Sequence, residues 1–177
     1  KGEESVTLSH VEEAVARIRK RGKMPIRERI SHVLDQDSPF LEISPLAAWR
    51  SSYDIGSGFV VGIGVIEGVE CVILGHDPSV RAGAFNPFNS KKLMRGLEIA
   101  RENRMPYVQF VESAGADLRG ASGDGKGDPN AEAEAALQRE VDHFAESGRL
   151  FYEISELSKM RIPCLLYTSP SPRDPNR

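Results

Sequence analysis

The chain has 177 residues, of which 40% are hydrophobic, enough apolar material for one buried core. Its 23 basic and 26 acidic side chains leave a formal charge of -3 and are spread along the sequence, which argues against nucleic-acid or other polyanion binding as the main activity. No apolar run reaches the roughly 18 residues of a membrane span, and no basic-then-apolar leader opens the chain.

From Thr7 to Arg21 the apolar positions Leu8, Val11, Ala14, Val15 and Ile18 recur at helical spacing, with Thr7 and Ser9 as candidate caps. A second helix is expected from Pro25, carrying Ile26, Ile30, Val33 and Leu34 on one face until Asp37-Ser38-Pro39 stops it. The pattern then turns to β-branched runs, Phe59 to Ile66 and Val69 to Leu74, joined at Glu67-Gly68, which predicts a hairpin. Both runs are apolar on nearly every residue, as in strands covered on both faces. Gly62-Ile63-Gly64 lies inside a strand run with no helix after it, so close backbone packing is preferred to a dinucleotide loop. Asn89-Ser90 is expected to cap a helix to about Asn103, with Leu93, Leu97, Ile99 and Ala100 inward and Pro106 at the exit.

A buried strand follows at Tyr107 to Val111 and ends in Glu112-Ser113-Ala114-Gly115-Ala116-Asp117, small residues where α/β folds gather ligand sites. Residues 119–130 hold four glycines and a proline without an apolar anchor, the composition of a flexible loop. Helical periodicity returns from Ala131 to about Met160, interrupted at Ser147-Gly148, and Ile162 opens what reads as another buried strand. The alternation of helices and strands makes the fold α/β. After Pro163 the character changes abruptly. Residues 164–177 resemble one reading frame of a transposase adapter used for sequencing libraries, so this tail is expected to be a read-through scar. Cys71 and Cys164 form no pairing pattern, and a reducing cytoplasm is the simplest compartment, the mitochondrial matrix remaining open because the chain starts at Lys1 and not Met.

Small residues at a strand end let a ligand approach the backbone, and N–H groups there can face a developing negative charge. The same residues also serve simply to let a helix pack closely. Several ordered motifs give this segment a context: Arg27-Glu28-Arg29-Ile30 with Leu34-Asp35, Ser38-Pro39-Phe40-Leu41-Glu42, Gly62 to Cys71, Asp77 to Gly83, Lys91-Lys92, Glu98 to Arg104, and Glu112 to Leu118. Together they resemble the carboxyltransferase (beta) subunits of biotin-dependent acyl-CoA carboxylases, over nearly everything from Ser5 to Pro163. Asp142-His143-Phe144 with Gly148 to Tyr152 looks more like the methylcrotonyl-CoA branch than the propionyl-CoA branch.

The resemblance implies a crotonase-like (ClpP/crotonase) fold, with residues 1–163 an incomplete N-terminal carboxyltransferase domain. It implies transfer of a carboxyl group from carboxybiotin to the α-carbon of an acyl-CoA. The enolate oxygen would be stabilised by the backbone at Ala114, Gly115 and Ala116. The family usually has two glycines where this chain has Ala114-Gly115, so Ala114 narrows the backbone freedom and the room for the thioester. The family also implies biotin on a separate carrier domain, a biotin carboxylase and carrier partner, and a homo-oligomer of carboxyltransferase subunits. It further implies a second glycine-rich loop after Ile162 and a second crotonase-like domain, so this piece alone is expected not to turn over. Lys91 and Lys92 near a helix N-terminus, with Arg81 and Arg95, suit CoA phosphates, although a solvated helix end has the same composition. His76 beside Asp77 is a candidate general base or a hydrogen-bonded strand-end residue. His10, His32, His76 and His143 lack metal-ligand spacing, and no metal is expected. Rival readings are an enoyl-CoA hydratase or isomerase, which shares an oxyanion motif like Ala114 to Leu118, a decarboxylase subunit, and a non-catalytic CoA-binding or assembly module.

Overall fold

The structure is a computed structural model that describes residues 12–51, 53–116, 141, 145 and 148–168. Candidate caps Thr7 and Ser9, the 119–130 loop, Asp142-His143-Phe144 and Ser147 lie outside the described residues.

Helix α1 (residues 12–20) buries Ile18, and α2 (Ile26–Val33) buries Ile26 and Ile30 at the i, i+4 spacing that its sequence sets. Pro25 caps α2 with an extended backbone, and Leu34 ends it. Strand β1 (Leu41–Glu42) pairs antiparallel with β2 (Phe59–Ile66), which pairs antiparallel with β3 (Val69–His76). The hairpin turn is where the sequence places it, with Glu67 at φ 50 and Gly68 at φ 74, and the Asp35 carboxylate accepts from both turn N–H groups at 2.7 and 2.8 Å. Helix α3 (Pro87–Asn103) crosses to β4 (Tyr107–Val111), which is parallel to β3. Helix α4 (residues 148–159) then leads to β5 (Cys164–Thr168), parallel to β4. Among the described residues the sheet order is β1-β2-β3-β4-β5.

Strand periodicity divides the core between the two faces of this sheet. Phe59, Val61, Val72, Leu74 and Tyr107 join Leu93, Leu97 and Leu157 on the α3 and α4 face. The alternate residues Val60, Cys71 and Ile73 meet Ile26 and Ile30 of α2 on the other. Helices on both faces explain why β2 and most of β3 are apolar. A side chain at Gly62 would run into the Phe40 ring, and one at Gly64 into Leu34, so this triplet is a packing feature of the strand.

The details differ from the sequence expectation in four places. Helix α3 starts at Pro87, and its N-cap is Asn86; Asn89 is the third helical residue of a reciprocal capping box in place of the expected Asn89-Ser90 cap. Strand β3 continues to His76, beyond Leu74. Gly148 is helical, with no break at that residue. The strand expected from Ile162 begins at Cys164, and among the described residues it is an edge, with Leu165, Leu166 and Tyr167 at 61%, 51% and 55% exposure. Ile162 itself is buried.

Candidate functional site

Strand β4 delivers Glu112 to Ala116 to the end of the sheet, and the segment after β3 holds them there. That segment begins with an Asp77 turn, in which Asp77 Oδ1 accepts from the Ser79 N–H at 2.9 Å while the Asp77 N–H donates to the Gly58 carbonyl at 2.8 Å. It then forms a short 3-10 turn, Arg81–Gly83, in which Arg81, Ala82 and Gly83 take φ of 45, 54 and 69. Two non-glycine residues in the left-handed region cost on the order of 1–2 kcal/mol each. Surrounding contacts fix this conformation. A Cβ at Gly83 would stand 2.1 Å from the Glu112 carbonyl oxygen, so only glycine permits the approach. The Ala114 N–H donates to the Ala82 carbonyl at 3.1 Å, and the Phe85 N–H donates to the Gly115 carbonyl at 2.8 Å, in a parallel bridge between Phe85 and Ala116. On the other side, the Glu112 carboxylate is held by Lys23 and by Arg29, the latter at 3.4 Å, all three side chains being largely buried.

These contacts separate the three backbone N–H groups at the strand tip. That of Ala114 is committed to Ala82, and that of Gly115, at φ 95, donates to the Ser113 hydroxyl at 3.1 Å. The Ala116 N–H has no hydrogen-bond partner among the described residues, and residues 113–116 are exposed. A donor that must stabilise a transient oxyanion has to be fixed in place and uncommitted. Among the described residues Ala116 meets both conditions, Gly115 meets them once the Ser113 hydroxyl turns away, and Ala114 does not.

The cationic residues divide likewise. Lys92 departs from the expected phosphate-binding role: it is 3% exposed, and its ammonium donates to the Phe59 carbonyl at 2.8 Å and lies 3.8 Å from Glu42. Burial pushes the Lys92 amine down, opposed by the Glu42 charge. Its position on α3, one residue from Lys91, rotates it by about 100° from the exposed face, onto the sheet. Arg81 stacks on Tyr53 at 4.6 Å and stands 3.8 Å from Asp54, which turns it toward the loop before β2. Lys91 and Arg95 do converge, with Arg149 of α4, around a depression of about 240 Å³ that Ser90, Met94 and Glu98 complete. Arg149 was not foreseen, because only the packing of α4 beside α3 brings it there.

His76 is buried under the same segment. Its ring stacks on Phe59 at 4.2 Å, meets Phe85 edge-on at 5.3 Å, and its Nε2 lies 3.0 Å from Gln109 Nε2. The Tyr107 hydroxyl donates to Gln109 Oε1 at 3.1 Å, so the Gln109 amide nitrogen donates to His76 and places the imidazole proton on Nδ1. Burial pushes the imidazole down to about 4, against smaller opposing effects of the Gly83 backbone and the Glu112 charge. A neutral ring at 1% exposure cannot reach a substrate, which removes the general-base reading and leaves the strand-end one. The signal that could have revealed this network was Gln109, a polar residue inside an otherwise apolar strand. Among the described residues no group of His, Cys, Asp and Glu could hold a metal ion, and no helix is long and apolar enough to cross a membrane.

Comparison with known proteins places this geometry in a family. A model of the carboxyl transferase domain matches residues 17–169. The chain is 41% identical over 151 residues to a probable biotin-dependent acyl-coenzyme A carboxylase beta2 subunit of Mycobacterium tuberculosis, covering 85% of this chain and 25% of that protein. It is 39% identical over 146 residues to the mitochondrial methylcrotonoyl-CoA carboxylase beta chain of Dictyostelium discoideum, covering 81% and 22%. Among solved structures, the beta subunit of P. aeruginosa geranyl-CoA carboxylase superposes with a TM-score of 0.72 at 33% identity, over 92% of this chain and 28% of that one. The chain thus spans about a quarter of the length of these relatives.

Proposed function

The chain belongs to the carboxyl transferase domain family, and from that premise we propose that it supplies the thioester-binding strand of the carboxyltransferase component of a biotin-dependent acyl-CoA carboxylase. The observation that carries this reading is the Ala116 N–H, uncommitted among the described residues, at the tip of a buried parallel strand held from two sides by the Ala82 to Phe85 segment and by the Lys23 and Arg29 clamp on Glu112. Removing the α-proton of an acyl-CoA moves charge onto the thioester oxygen. The Ala116 N–H can receive that oxygen, joined by Gly115 when the Ser113 hydroxyl rotates away. One such donor is worth about 10²–10³ in rate in acyl-transfer enzymes.

Carboxybiotin, on a separate carrier domain, supplies the carboxyl group. No described residue is assigned to it, and the biotin carboxylase and carrier subunit and further carboxyltransferase subunits are the proposed partners. Lys91, Arg95 and Arg149 are proposed to meet CoA phosphates. Their depression of about 240 Å³ is below the ~300–1,000 Å³ of a complete small-molecule pocket, so it suits a phosphate group and not the whole cofactor. The resemblance of Gly148 to Tyr152 and the name of the Dictyostelium relative support a methylcrotonyl-type acyl group, in the cytoplasm or the mitochondrial matrix.

The reaction can be tested by exchanging the matching segment of the P. aeruginosa geranyl-CoA carboxylase beta subunit for residues 12–163. Assembled chimera is expected to transfer carboxyl groups from carboxybiotin to an acyl-CoA, and the same chimera with Ala116→Pro to lose about 100-fold or more in rate. Equal rates in the two would contradict the assignment of Ala116.

A further inference from the structure

Resting on the oxyanion reading but going beyond it, we infer that His76 is a positioning residue for the Gly115-Ala116 backbone, acting through Phe85. The connection is continuous. The Tyr107 hydroxyl bonds Gln109, and Gln109 bonds the His76 ring at 3.0 Å, which fixes the imidazole plane at the end of β3. The ring then supports Phe85 edge-on at 5.3 Å, and the Phe85 backbone bonds the Gly115 carbonyl at 2.8 Å and bridges Ala116. His76 Cβ also lies against Gly83, 3.5 Å from where a glycine Cβ would be, next to Ala82, whose carbonyl accepts the Ala114 N–H. Phe59, fully buried in the α3 face of the sheet, closes the other side of the ring at 4.2 Å. A rigid aromatic stack therefore lies beneath a segment whose backbone is strained at Arg81 and Ala82. Strained segments hold their conformation only when the surrounding structure over-determines it, and the His76 ring is the part of that surrounding on the sheet side.

The test is amide hydrogen exchange in the 177-residue chain, read at Phe85 and Ala114 relative to Val72, whose N–H bonds the Pro106 carbonyl away from the site. His76→Ala, which removes the ring, is expected to accelerate Phe85 and Ala114 at least about tenfold relative to Val72, because the local segment opens while the sheet stays closed. His76→Phe, which keeps an aromatic ring, is expected to return that ratio to within about threefold of the unaltered chain. Phe85→Ala is expected to match His76→Ala and covers the case in which that variant does not fold. An unchanged ratio in both alanine variants, or acceleration of all three amides alike, would overturn the inference. Affinity for acetoacetyl-CoA, measured on the same proteins, separates this from the oxyanion reading: loosened amides with unchanged affinity support the positioning role and count against Ala116 as the thioester donor.

Discussion

The buried His76 and Lys92 side chains are both displaced from their ordinary protonation behaviour by burial. For His76 the folded value is about 4 against 6.5 unfolded, so the unfolded chain takes up the proton first as the pH falls. Its stabilising contribution is full above pH 6.5 and is lost progressively down to about 4. Urea unfolding at pH 7 and pH 4.5 should therefore show a loss on acidification about 2 kcal/mol larger in the unaltered chain than in His76→Phe. Equal losses would mean that His76 does not titrate in this way. Lys92 has the same sign for the same reason: its charge is disfavoured in the folded state, chiefly by burial. Lys92→Ala should destabilise by about 1–3 kcal/mol through the orphaned Phe59 carbonyl while leaving CoA affinity unchanged, whereas Lys91→Ala should weaken CoA binding with little effect on stability. Sequence spacing placed both lysines at a helix start, but the direction in which each points depends on the helix rotation set by Leu93 and Leu97 against the sheet.

The elements are joined by polar contacts that local pattern does not display. The hairpin was legible from Val and Ile runs around Glu67-Gly68, yet its turn is held by Asp35 from the segment after α2, far away in sequence. Asp35→Ala should cost about 1–3 kcal/mol in denaturant unfolding, since two exposed turn amides lose a charged acceptor. Helix α3 was legible as a helix, but its cap was misplaced by three residues because Asn86 and Asn89 are both good cap residues. Their amide groups also donate to the Ser57 carbonyl at 3.1 and 3.0 Å, long-range bonds that tie both members of the capping box to the loop before β2. Asn86→Ala is expected to lower stability by about 1–2 kcal/mol.

At the scale of the whole molecule, the α/β class and the strand tip at Glu112 to Ala116 could be read from the sequence, because burial on both faces writes itself into composition. The sharing of donors at that tip could not, because the Ala114 N–H is taken by Ala82, a residue from another loop. The outermost strand among the described residues, β5, presents Leu165, Leu166 and Tyr167 to solvent beside buried β4, an arrangement that favours edge pairing. Leu166→Lys should accordingly lower self-association of the chain in sedimentation experiments. The proposed boundary at Pro163 treats this strand as foreign to the domain, and removal of residues 164–177 is then expected to leave acyl-CoA affinity intact. The thioester-binding reading rests on one backbone group, the Ala116 N–H. A titration of the ¹⁵N-labelled chain with acetoacetyl-CoA, and separately with CoA, tests it most directly at the Ala116 amide. A large Ala116 shift with the thioester and little with CoA alone is expected; an Ala116 resonance that stays in place while the thioester binds would contradict that reading.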